Sequence, residues 1–252
     1  MFYASLTKTC LFGLLLLSLL ACGDTNKNDT SAGKTDTEAS AENTEKDSVN
    51  ETPTEPVVPT IKIGAQEWMV ADINNTTYNN GDAVQEATSD KQWIDFATSK
   101  TGCFRRAKNG SILYNGFALT DPRGLVPVGF SIPTYADFKA LFKQLGGGSS
   151  TCGKAAVAMA TYPLGEEAFT DEEGLTWVDV KSDNRSGFTA KPGGYVYDWG
   201  TISEGACSYW WTSSKEGNNQ IVVDIGYCSQ DGGGGRSVAP LTFGHAIRAI
   251  KK

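Results

Sequence analysis

Apolar residues fall in two blocks along the chain. The first is a run over residues 11–20, interrupted only by Gly13 and Ser18. The second begins at Ile61, after residues 23–60, where large apolar side chains are nearly absent. In the second block, short apolar runs are broken by Gly, Asn, Asp and Pro, and few windows carry a helical period. Residues 61–70 predict a β-hairpin, two short strands around Gly64-Ala65. Residues 134–145 predict the clearest helix. Phe138, Leu141, Phe142 and Leu145 recur at i, i+3, i+4 and i+7, Thr134 can cap the start behind Pro133, and Gly146 to Gly148 stop it. A second helical piece is expected near 153–160, and strands are expected at 209–213, 221–226 and 245–250. This pattern predicts an α+β domain, irregular and loop-rich, with small antiparallel sheets and one or two helices.

The first block is too short to cross a bilayer, which takes about 20 residues, and it follows a single charge at Lys8. That is the pattern of a signal peptide. Leu19-Leu20-Ala21-Cys22 resembles the lipobox of bacterial lipoproteins, which implies lipidation of Cys22 and cleavage before it. The expected organisation is a signal and lipobox at 1–22, an acidic linker at 23–60 and a folded domain at 61–252. The linker has nine carboxylates against three lysines and no aromatic residue. It cannot bury enough apolar surface to offset the entropy of ordering it, and its like charges favour extension. The linker accounts for most of the chain's net charge of −7, leaving the domain near neutral. Nucleic acid is therefore not an expected partner. The expected location is the outer membrane, with the cell surface as an alternative to the periplasmic side.

An exported domain meets an oxidising compartment, where cysteines pair. Beyond Cys10 and Cys22, four remain: Cys103, Cys152, Cys207 and Cys228. A two-residue turn at Gly217-Asn218 sets Cys207 opposite Cys228 across a hairpin, within disulfide reach. Cys103–Cys152 follows by elimination.

Seven segments, in order, carry a family resemblance. They are Ile63-Gly-Ala-Gln-Glu-Trp-Met-Val-Ala-Asp-Ile73, Tyr78-Asn-Asn-Gly-Asp82, Leu113-Tyr-Asn-Gly-Phe-Ala118, Val126-Pro-Val-Gly-Phe-Ser-Ile-Pro-Thr134, Ser186-Gly-Phe-Thr-Ala-Lys-Pro-Gly-Gly-Tyr195, Trp210-Trp-Thr-Ser-Ser214 and Ala246-Ile-Arg-Ala-Ile250. The chain resembles the Fibrobacter succinogenes major paralogous domain, found in bacterial secreted and surface lipoproteins. It departs from that pattern at Asp72-Ile73, usually Asn-Leu, and at Gly116, usually an aromatic residue. The resemblance implies a C-type-lectin-like fold related to formylglycine-generating enzymes, and it implies no particular activity.

Candidate chemistry is sparse. His245 is the only histidine, and no CxxC or adjacent base marks a reactive thiol. Glu166-Glu167 with Asp171-Glu172-Glu173 is a loop of acids rather than a spaced cation site. Gly232 to Gly235 lacks the Lys-Ser/Thr of a phosphate loop. No catalytic residue, metal ligand or cofactor is assigned. The candidate ligand-binding residues are Tyr195, Tyr197 and Trp199, at alternate positions, with Trp211. On an exposed strand face the first three form a platform for a sugar ring or a protein partner; on an inner face they are core. Trp210 and Trp211 point to opposite faces, so at most one is free for a ligand. A non-catalytic binding or adhesion module is favoured over an enzyme, an enzyme subunit or a structural envelope component.

Overall fold

The computed structural model describes residues 58–147, 153–162, 164, 181–204, 207–226 and 235–252. In chain order, β1 (Thr60–Ile63) and β2 (Gln66–Met69) form a hairpin, followed by β3 (Gln85–Glu86) and α1 (Asp90–Thr98). Next come β4 (Cys103–Arg106), β5 (Ile112–Asn115), the one-turn α2 (Gly116–Leu119) and β6 (Phe130–Ser131). Two helices follow, α3 (Tyr135–Gln144) and α4 (Gly153–Met159), then β7 (Tyr195–Val196) and β8 (Ile202–Ser203). The chain closes with β9 (Ser208–Glu216), β10 (Asn219–Ile225), β11 (Gly235–Ala239), β12 (Gly244–His245) and β13 (Ile250–Lys251). Three sheets result, ordered β1-β2-β13-β6, β11-β10-β9 and β3-β4-β5-β12-β7-β8. The fold is α+β, sheet-rich and loop-rich, with four described helices where the sequence predicts one or two.

Local chemistry explains the elements that form as expected. Ile63 pairs with Gln66 across Gly64, whose φ of +61° suits a two-residue hairpin turn. Thr134 and Asp137 make reciprocal capping bonds at the start of α3, which buries Phe138, Leu141 and Phe142. The segment at 245–250, expected as one strand, is divided. Its ends pair in different sheets, and Ala246 lies between them, accepting from Trp211 N–H and donating to the Tyr209 carbonyl.

The β9–β10 hairpin turns at Gly217-Asn218 as expected, with Glu216 opposite Asn219. Beyond it, however, the register slips: Lys215 faces Gln220, but Trp211 faces Val222 and Ser208 faces Ile225. Three residues of β9 (Thr212, Ser213 and Ser214) oppose Ile221 alone. Thr212 Oγ1 donates to the Ile221 carbonyl at 2.7 Å and accepts from Ser214 N–H at 3.2 Å, and Ser213 N–H turns away to Pro133 at 2.9 Å. This bulge corrects the expected facing of Cys207 and Cys228, because the observed register carries Cys207 toward Gly226. Cys152 and Cys228 lie outside the described residues, as do Cys22, the expected signal and linker up to residue 57, the acidic loop at 166–173 and Gly232 to Gly234.

Trp210 and Trp211 do face opposite sides of β9, and each anchors a core. On one side Trp210 stacks on Phe138 at 5.9 Å between centroids and meets Phe188 edge-on at 5.6 Å. A buried ion pair closes this core. The Asp72 carboxylate accepts from Trp210 Nε1 and from Arg248 Nε, both at 2.8 Å. Arg248 also donates to the Met69 and Phe188 carbonyls and lies 4.1 Å over the Phe188 ring. The departure at Asp72 thus carries the counter-ion for Arg248. The departure at Gly116 is also explained: a Cβ there would stand 2.6 Å from the Leu241 Cα.

Candidate functional site

The region around Tyr195, Tyr197 and Trp199 is a hairpin tip, not the continuous strand that their spacing predicts. Tyr195 pairs with Ser203 and Val196 with Ile202. The chain then turns: Gly200 N–H donates to the Tyr197 carbonyl, and Tyr197 N–H to the Thr201 carbonyl, both at 2.9 Å. Gly200, at φ +92°, closes the turn in a conformation that disfavours a side chain. Space excludes one too, because a Cβ there would lie 2.6 Å from the Asp90 Cα.

That close approach docks the tip on the first turn of α1. Asp90 accepts from Arg105 Nη1 at 2.6 Å and from Thr201 Oγ1 at 3.0 Å. Arg105 also donates to the Gly200 carbonyl. Arg105, followed by the Thr201 hydroxyl, holds the Asp90 carboxyl below its usual range. The anion also sits at the positive end of the helix dipole. From the helix interior, Trp93 Nε1 donates to the Thr242 carbonyl at 2.9 Å, fixing the segment before β12. The tip is thereby bonded to two separate parts of the chain, α1 through Asp90 and β4 through Arg105.

The tip presents a graded array of rings. Trp199 is 54% exposed and stacks on Tyr197 at 4.2 Å with 12° between planes. Tyr197 meets Tyr195 at 4.7 Å, and Tyr195 meets Tyr209 at 5.0 Å. Phe243 flanks both Tyr195 and Tyr197, at 6.5 and 6.2 Å. At the inner end His245 packs edge-on against Trp211 at 4.5 Å. Burial pushes the Tyr195 phenol up to about 12, so it stays neutral. The array is neither wholly platform nor wholly core: exposure rises outward from the buried inner end to the half-buried tyrosines and then to Trp199.

Trp211 is corrected as a ligand residue. It is fully buried, and its indole N–H donates to the Tyr114 carbonyl at 2.8 Å. His245 is also buried, and neither of its ring nitrogens has a hydrogen-bond partner among the described residues. Desolvation lowers its pKa to about 3, so it is a neutral ring in an aromatic cage.

Trp199 forms one wall of an open cleft of about 390 Å³. The opposite wall is α1, through Ile94, Ala97 and Thr98, and Asp198 and Thr242 complete the lining. Sequence reasoning missed this wall. Its signal was present: Ser89 caps the helix by accepting from Gln92 N–H, and Trp93 and Ala97 are buried at i, i+4. Chemically, the cleft offers an exposed indole, an apolar floor, two hydroxyls and one carboxylate. Asp198 is its only titratable lining residue, so the described lining offers no nucleophile–base or acid–base pair. Among the described residues, no three His, Cys, Asp or Glu side chains converge to hold a metal.

No curated protein and no solved structure matches the chain. Residues 61–251, which span the three sheets and the cleft, match the model of one family, and the chain therefore belongs to the Fibrobacter succinogenes major domain family.

Proposed function

We propose that this domain is a non-catalytic carbohydrate-binding module, presented outside the cytoplasm by a lipid anchor at Cys22 and an extended acidic linker. The observation that carries the binding reading is Trp199. A half-exposed indole, backed by a parallel tyrosine ring at 4.2 Å and standing over a cleft, is the arrangement that stacks on the apolar face of a pyranose. The tip is preorganised by the Asp90–Arg105 pair and the Gly200 contact, so little ordering entropy remains to be lost on binding. A cleft with a single carboxylate supports binding over hydrolysis, since glycoside cleavage uses two. The lectin-like fold that the family resemblance implies is consistent with this role. Anchoring rests on the Leu19-Leu20-Ala21-Cys22 motif, through which two or three acyl chains would hold the domain stably, and the outer membrane is its proposed location. In that compartment the four cysteines of the domain are proposed to form disulfides, whose pairing non-reducing peptide mapping would identify.

The test is a glycan-array screen of the detergent-solubilised full chain, followed by titration of tryptophan fluorescence. Saturable binding is expected, with at least a tenfold loss in Trp199→Ala at unchanged melting temperature, about the worth of one stacked ring. Absence of binding to every glycan overturns the reading and leaves a protein partner or an envelope role.

A further inference from the structure

The charge of the cleft narrows the ligand class. Asp198 and Trp199 are the two central residues of the same turn, so a carboxylate stands beside the exposed indole. Asp198 has no ion-pair partner among the described residues, unlike Asp90 and Asp95, which are bonded to Arg105 and Lys91. The opposite wall is the C-terminal half of α1, whose last turn contains no basic residue. The nearby cations are committed or outside the lining. Arg105 is only 14% exposed and serves Asp90 and the Gly200 carbonyl; Lys100 follows the helix but does not line the cleft.

Resting on the carbohydrate reading above, we propose that the Trp199 cleft selects a cationic sugar: a pyranose with a free amino group, which stacks on the Trp199 indole and places its ammonium against the Asp198 carboxylate. The ammonium then makes a charge-assisted hydrogen bond, and its proximity to the indole adds a cation–π attraction. An N-acetylated sugar keeps the stacking face but loses both charge contributions. A uronic acid meets the carboxylate with like charge and is rejected.

The experiment titrates the full chain in detergent with glucosamine tetramer, N-acetylglucosamine tetramer and galacturonic acid tetramer, at pH 6 so that the amines are charged. The glucosamine tetramer is expected to bind about tenfold more tightly than its N-acetylated counterpart, and the uronic acid oligomer most weakly. In Asp198→Asn that preference falls to about twofold or less, while N-acetylglucosamine tetramer affinity is retained; in Trp199→Ala all three are lost. Equal affinity for the acetylated and free-amine oligomers, with Trp199→Ala still abolishing both, overturns the charge inference and leaves the carbohydrate reading standing. A preference that survives Asp198→Asn overturns the role of Asp198. Competition by lysine tetrapeptide as strong as by the glucosamine tetramer shows that charge alone is read, and overturns the sugar assignment. Failure of all three oligomers together with a blank glycan array removes the carbohydrate reading itself.

Discussion

Trp210 and Trp199 lie eleven positions apart and do opposite things. Trp210 is completely buried, ringed by Phe138 and Phe188, with its N–H bonded to Asp72. Trp199 is 54% exposed, has one close ring partner in Tyr197, and its N–H makes no hydrogen bond to the described residues. The chemistry of the side chain is the same; the number of covered faces differs. Around Trp210 the indole N–H and the Arg248 guanidinium both reach Asp72, and Arg248 also meets two backbone carbonyls, so the buried Arg248 charge is tolerated. Around Trp199 one ring face is backed and the other left to a cleft, which is what a ligand needs. Between these extremes sit the buried His245 and the half-buried Asp224, whose polar atoms are poorly compensated.

Breaking the closed node has the largest expected effect. Arg248→Met leaves Asp72 without its cation in a low-dielectric core, and about 3–5 kcal/mol of stability is expected to be lost, measured as a lower urea midpoint. His245→Phe works in the opposite direction by removing two unpartnered nitrogens. In the wild-type chain the unfolded state takes up a proton at His245 near pH 6.5, while the folded state does so only near pH 3. Stability therefore falls by several kcal/mol as pH drops through that window, and the phenylalanine variant is expected to lack that loss in pH-dependent unfolding.

Asp224 has the reverse sign. Its carboxyl is raised to about 6 by burial, against a single opposing bond from Gly235 N–H. Folding thus favours its protonated form, and stability declines as pH rises from about 4 through 6. Asp224→Asn is expected to match the wild type at pH 4 and to gain about 2 kcal/mol at pH 7.5 in thermal unfolding. Trp199→Ala completes the series: about 0.5 kcal/mol or less in stability, with the loss confined to glycan binding. A large stability loss there would mean that the outer end of the ring array is core after all.

The family and much of the local structure were legible in the chain. The spacing of Phe138, Leu141 and Phe142 behind Thr134 specified α3, and the two glycine turns specified the β1–β2 and β9–β10 hairpins. These features depend on residues within a few positions of one another, so a linear reading can weigh them. The bulge at Thr212 to Ser214 was not legible, because its stability comes from a carbonyl nine positions away and from Pro133 in another part of the fold. Nor was the fate of the tyrosine–tryptophan triplet, whose alternate spacing fits an exposed strand and a buried one equally well.

The sequence alone determined that residues 61–251 form this family's domain and that a ring-rich segment lies near Tyr195. Only the tertiary structure decided which rings reach solvent and what faces them. Asp72 meets Arg248 across 176 positions, Trp93 holds Thr242 across 149, and Arg105 reaches Gly200 across 95. Contacts at such distances are set by how whole sheets and helices pack against one another. A period-two pattern records which side of a strand a residue takes, but whether that side is covered depends on elements far away in the chain.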